Sequence, residues 1–196
     1  MSERVRCFMI EPTDQAEQSL RRYASGSKCP GPWGYHNASA AIGVVPYPPS
    51  EYSGDGKLGH DFEGDPRWPT HCVCGYEFVA GDERQDNRER LYRRPDTGES
   101  YTLNKAPAGA MWWADWYASF GFVGADGRTL CVMLPPARSA GDHWCVDGRA
   151  NNSTEIPGWK RTGSAPDFSA TPSIRTPHYH GFLVNGWLEP CGDSPN

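Results

Sequence analysis

The sequence has no apolar run approaching the ~18 residues of a membrane-crossing helix, which excludes a helical span. It has no basic excess either. Lys and Arg number 19 against 24 Asp and Glu, and a formal net charge of -5 argues against a protein that coats nucleic acid, which needs a basic footprint. The first residues, Met1 to Arg6, lack the apolar core of a secretion signal, so the expected setting is a reducing cytoplasm. There the 7 cysteines are expected to be free or metal-bound rather than paired as disulfides. Internal repeats are absent, and no Ser, Cys or Asp stands in the surroundings of a known nucleophile.

What replaces aliphatic runs is Gly (22), Pro (18) and a large aromatic share, with 8 Trp, 9 Tyr and 7 Phe. Such a composition buries rings between short strands joined by many turns, rather than packing long helices. The expectation is a β-dominated α+β fold: short strands and hairpins, one or two short helices, and a zinc-knuckle-like loop region. One domain over 1–196 is expected, with a metal-stabilised N-terminal subregion at 1–80 and a β-rich region at 91–191.

Along the chain, 4–10 reads as a strand. The spacing of Ala16, Leu20 and Tyr23 predicts a helix over 14–24, capped by Thr13 or Asp14. Ala40–Val45 reads as a strand, and 46–69 as a long aperiodic loop that something must hold. Asp82 is expected to cap a charged helix reaching Tyr92. Hairpins are expected at Asp96-Thr97-Gly98, between Phe120–Val123 and Thr129–Leu134, and at Asn185-Gly186, where a type I′ turn favours both residues. Trp144–Asp147 is a further strand. Trp112, Trp113 and Trp116 form core if buried and a binding surface if exposed.

The densest group of metal-ligating side chains is His71-Cys72-Val73-Cys74-Gly75. A tight turn at Gly75 lets both sulfurs face one way, and Cys29 with His36 supplies a second pair, completing a tetrahedral Zn²⁺ set. Cys7, His60 and His71 are substitutes. Four protein ligands leave no open position, so such a zinc would be structural. The competing expectation is that these are ordinary reduced cysteines acting as small apolar residues.

A second polar set comprises Asp147, Arg149, His178 and His180. Asp147 with His180 offers an acid/base pair, Arg149 an anion clamp, and the two histidines a pair of metal ligands. The simpler expectation is structural ion pairs and caps. Arg84, Arg88, Arg90, Arg93 and Arg94 alternate with Asp82, Glu83, Asp86 and Glu89, a solvated face rather than a phosphate patch.

Several segments resemble one family of proteins encoded mainly by phages and prophages of actinobacteria. They are Asp65-Pro66-Arg67-Trp68-Pro69 leading into Cys72-x-Cys74-Gly75-Tyr76-x-Phe78, Leu91-Tyr92-Arg93-Arg94-x-Asp96-Thr97-Gly98-Glu99, Ala106-Pro107-x-Gly109-Ala110-Met111-Trp112, Asp147-x-Arg149-Ala150-x-Asn152, and Tyr179-His180-Gly181-Phe182-Leu183. The resemblance implies phage origin and synthesis in a host cytoplasm, and carries no activity with it. Relatives have further cysteines where this chain has Asn152-Ser153, Gly158-Trp159 and Phe168. The expected function is a non-enzymatic, zinc-stabilised protein that assembles with other phage proteins as a minor virion, decoration or connector component. The alternative is a small enzyme or host-directed effector using Asp147, Arg149, His178 and His180.

Overall fold

The computed structural model describes residues 3–26, 28–31, 34–47, 64–136, 142–148 and 159–193. The fold is β-dominated, and the chain divides into two compact units, one of Met1–Pro12 with Tyr92–Asn196 and one of Thr13–Leu91.

The first unit holds two sheets. One has five antiparallel strands in the order β1 (Val5–Arg6), β13 (Trp187–Pro190), β12 (His180–Val184), β11 (Ser169–Arg175), β10 (Lys160–Thr162). The other has four, β2 (Phe8–Met9), β7 (Ala110–Trp113), β8 (Leu130–Met133) and β9 (His143–Cys145), with β2 parallel to β7. The expected strand over 4–10 is thus split between two sheets, with the buried Cys7 between its halves. Leu130-Cys131-Val132-Met133 explains the arrangement. It is apolar at every position, and the side chains of a strand alternate between faces. Leu130 and Val132 join Met111, Ile174, Leu183 and Leu188 in one core, whereas Cys131 and Met133 join Ile10, Tyr92 and Trp112 in another. β8 is therefore buried on both sides.

The Asn185-Gly186 turn joins β12 to β13 with both residues at positive φ, 46° and 71°, and sets the register Val184↔Trp187. A side chain at 186 would be strained by that φ, and its Cβ would run into the Arg6 guanidinium and the Pro166 carbonyl. Gly186→Val is expected to cost about 2–3 kcal/mol, read as a lowered urea midpoint with an unchanged m-value.

The second unit is built on β3 (Glu11–Ala24), β4 (His36–Pro46) and β5 (Glu83–Arg93), with β3 in the middle and paired antiparallel to β4. Both helices expected from the sequence are strands here. In β3 every second residue from Ala16 to Ala24 is buried, and two of these five are Gln18 and Arg22. Ala16 and Leu20 lie four residues apart, a spacing that satisfies a helix and a strand alike; the polar residues between them hide the alternation. Their burial is possible because each is bonded. Gln18 Nε2 donates to Asp86 Oδ1 at 2.9 Å, and Arg22 Nη2 to the Val79 carbonyl at 2.6 Å. Asp82 caps a turn instead of a helix, accepting from the Val79 N–H at 2.8 Å.

β5 ends in the first unit at Tyr92 and Arg93, where the Asp96-Thr97-Gly98 turn brings back β6 (Ser100–Thr102) with Arg94 N–H donating to Glu99 at 2.8 Å. Short 3-10 helices occupy Leu103–Lys105 and Asp115–Phe120. The arm of the hairpin expected at Phe120–Val123 is not formed: Phe120 ends the second helix, which is closed by Gly121 in the left-handed region (φ 79°), and Phe122 and Val123 belong to neither helix nor strand. No helix among the described residues is long and apolar enough to cross a membrane.

Candidate metal centre

Two turns of the second unit present the ligands. Between β3 and β4, Cys29 N–H donates to the Gly34 carbonyl at 3.1 Å and Gly34 N–H to Gly31 at 3.1 Å, folding the hairpin loop over itself. His36 is the first residue of β4 and stands opposite Ala24, the last of β3. In the loop before β5, Gly75 N–H donates to Cys72 at 2.9 Å and Cys72 N–H to Tyr76 at 2.9 Å. Gly75 makes this turn possible at φ 91°. Val73 is 90% exposed, while Cys72 and Cys74 on either side turn their sulfurs the other way, with Cys72 buried.

Cys29, His36, Cys72 and Cys74 converge with one donor atom from each lying within 4.8 Å of all the others. The Cys29 and Cys72 sulfurs are 3.9 Å apart, and His36 Nδ1 is 3.2 Å from the Cys74 sulfur. These four side chains could hold a metal ion. They are the four expected from the sequence.

The surroundings of Cys72 favour thiolate. The Cys74 N–H, first, and the Asn37 N–H bond the Cys72 sulfur, with His36 adding to them, and hold its pKa down to about 6 against the opposing effect of burial. Gly31 N–H donates to the Cys29 sulfur at 3.3 Å, the same residue-plus-two arrangement in the other turn, but burial and the neighbouring Cys74 and Cys72 sulfurs outweigh it and push the Cys29 thiol up. The imidazole of His36 is fixed by stacking on Tyr76, centroids 4.1 Å apart and 4° from parallel. Tyr76 in turn meets Phe78 edge-on at 5.7 Å, and Arg22 lies over Phe78 at 5.2 Å. The ligand turns are thus braced by an aromatic stack and by the arginine buried in β3.

Of the substitute ligands, Cys7 is packed in the apolar core of the first unit, and His71 is exposed with Nδ1 2.9 Å from the Thr70 hydroxyl. His60, with most of the 46–69 loop, lies outside the described residues, as do Arg149, Asn151 and Asn152.

The acid/base pair of Asp147 and His180 is not made. Asp147 is buried and accepts from Leu130 N–H at 2.8 Å and from Arg161 Nε at 3.0 and 3.2 Å. A carboxylate so engaged is structural. His178 sits in an exposed turn, its N–H donating to the Thr176 hydroxyl at 3.3 Å, and His180 Nδ1 lies 2.8 Å from Asp193. The two histidines are therefore not joint ligands.

Four of the five arginines between 84 and 94 are engaged, and Arg93 is exposed. Arg84 lies over Trp68, Arg90 over Tyr47 and Arg94 over Phe8, while Arg88 pairs with Asp86 at 3.1 Å and Arg94 with Asp96 at 2.6 Å. Trp112 is core, but Trp116 is half exposed.

Sequence reasoning missed Arg161, Cys191 and Asp193. Cys191 had a usable signal. A two-residue turn at 185–186 pairs 184 with 187 and, stepping outward, places 180 beside 191, where Cys191 N–H donates to His180 at 2.8 Å. No family model, curated protein or solved structure matches the chain.

Proposed function

We propose that this chain is a zinc-stabilised phage protein that works by assembling with other phage proteins, as a minor virion, decoration or connector component. The observation that carries the reading is the convergence of Cys29, His36, Cys72 and Cys74. Three thiols and an imidazole are the donor set of structural zinc, and hard ions such as Mg²⁺ or Ca²⁺ would reject it. A tetrahedral zinc with Zn–S near ~2.3 Å and Zn–N near ~2.0 Å has edges of roughly 3.5–3.8 Å. The 3.9 Å and 3.2 Å separations bracket that range. With all four positions filled by protein the ion cross-links two turns and performs no chemistry.

Assembly is supported by apolar side chains that the fold leaves outside. Trp116, Phe120 and Val123 are exposed on the 3-10 helix and the turn after it, and Tyr117 contacts Trp116, Phe120 and Phe122 as one aromatic group. The phage setting rests on the resemblance of the sequence segments that follow one another in the same order from Asp65 to Leu183.

The test is immunodetection of the chain across a density gradient of particles from a producing lysate. The chain is expected to co-sediment with particles, and Trp116→Ser/Phe120→Ser to shift most of it to the soluble fractions. Wild-type chain found only in the soluble fractions would overturn the assembly reading.

A further inference from the structure

A second group of metal-ligating side chains lies in the first unit, on the five-stranded sheet. His180, Cys191 and Asp193 each place one donor atom within 4.8 Å of the other two. The register explains why. The β12–β13 ladder runs to Gly181↔Pro190, and the next step is closed by Cys191 N–H donating to His180 at 2.8 Å. Directly opposed residues project from the same face of a sheet, so the imidazole and the thiol emerge side by side. Gly181, Leu183 and Leu188 point to the other face and are buried, which leaves His180 and Cys191 on the outer one. The chain then turns through Gly192 and carries Asp193 back over this face, where its carboxylate meets His180 Nδ1 at 2.8 Å. Arg175 on β11 stands opposite His180 in the neighbouring register, bringing a positive charge to the edge of the group.

We propose that His180, Cys191 and Asp193 form a second, open site for a borderline divalent ion such as zinc, with one coordination position left to solvent or an anionic ligand. Imidazole, thiolate and carboxylate are each zinc donors, and three protein ligands with a free position is the pattern of accessible rather than structural sites. The hard ions are again disfavoured by the sulfur. An ion here takes the place of the direct contact between His180 Nδ1 and the Asp193 carboxylate. The two atoms then part by about half an ångström to reach a tetrahedral edge, a movement open to Asp193, whose side chain is 66% exposed. Arg175 favours an anion as the fourth ligand. The site shares no residue with the Cys29/His36/Cys72/Cys74 cluster.

Alkylation of the full chain by iodoacetamide, followed peptide by peptide with and without added zinc, tests the assignment. Metal coordination removes the free thiolate that reacts. Zinc is expected to slow Cys191 alkylation about tenfold or more. His180→Ala and, on the exposed turn where unfolding is not at issue, Asp193→Asn are expected to return it towards the zinc-free rate. The Cys72 and Cys74 peptides report the other site in the same digest. Cys191 alkylated equally fast with and without zinc, while Cys72 and Cys74 are protected, overturns the second site alone. Protection of Cys191 that survives in both variants overturns it as well, since the ion would then not be held by these three groups.

Discussion

Cys72→Ser/Cys74→Ser is expected to remove most of the stability of the unit comprising Thr13–Leu91. Folding free energies are about 5–15 kcal/mol for whole domains, and a structural zinc contributes on the order of 10 kcal/mol in small metal-dependent folds at neutral pH. Among its described residues this unit has little else of that size. Its central strand buries Gln18 and Arg22 beside Ala16 and Leu20, so part of its interior is satisfied polar contact rather than apolar area. The four side chains sit in the turn between β3 and β4, at the start of β4 and in the loop before β5, so loss of an ion held by them would free both connections at once.

Hydrogen exchange should show β3, β4 and β5 losing protection in the variant. Chelator treatment of the wild type should give the same pattern, and added zinc should restore the wild type alone. Protons compete for the same sulfurs. The Cys72 thiol ordinarily titrates near 9.0 and is held at about 6, chiefly by the Cys74 N–H. Its contribution is therefore complete above the unfolded value and disappears as the pH falls through about 6. Metal release on mild acidification is the expected accompaniment. A variant that melts within about 2 °C of the wild type would show that the ion, if bound, holds nothing together.

Arg161→Met is expected to destabilise the first unit by about 3–5 kcal/mol, the cost of leaving a buried carboxylate without its partner. Arg161 lies on β10 and bridges two acids. Its Nε reaches Asp147, whose side chain is 1% exposed, and its Nη atoms reach Asp126 at 2.7 and 3.1 Å. The guanidinium also lies near the rings of Trp113 and Phe168. Arg161→Lys should recover little, because an ammonium cannot serve two carboxylates as the planar fork does. Asp147→Asn in the Arg161→Met background should recover part of the loss by removing the stranded charge. The half-exposed Asp126 partner is a smaller matter. Arg161 holds its carboxyl below the usual range, so that contribution is present above the unfolded pKa and lost as the pH falls through the lower folded value. Urea unfolding of the three variants measures this directly. Arg161→Met within about 0.5 kcal/mol of the wild type would contradict the assignment of Asp147 as a paired buried charge.

The same two units show what the sequence makes legible. Cys72-x-Cys74-Gly75 and Cys29…His36 could be joined from residue type alone, because sulfur and imidazole are scarce and turns bring them to the surface of a hairpin. Asn185-Gly186 declared both its turn and its register. β3 and β5 were illegible for the opposite reason. Their inward positions carry Gln18, Arg22 and Asp86, so no apolar alternation exists to be read; the strands are recognisable only once these side chains find one another. The sequence offers Asp147 both as an acid/base partner of His180 and, more simply, as one half of an ion pair; it does not name Arg161, which is 14 residues away and comes beside it only through the packing of the two sheets. His178 and His180 are two residues apart in sequence, but His178 lies in a turn, and the hairpin register sets Cys191 beside His180.

Cys29, His36, Cys72 and Cys74 are expected to bind one zinc between them. Zinc K-edge absorption of the Cys191→Ser protein, in which the second site is disabled, tests it most directly. The predicted first shell is three sulfurs at about 2.3 Å and one nitrogen at about 2.0 Å. A shell of nitrogen and oxygen alone, or a reduced protein that retains no zinc, would contradict it.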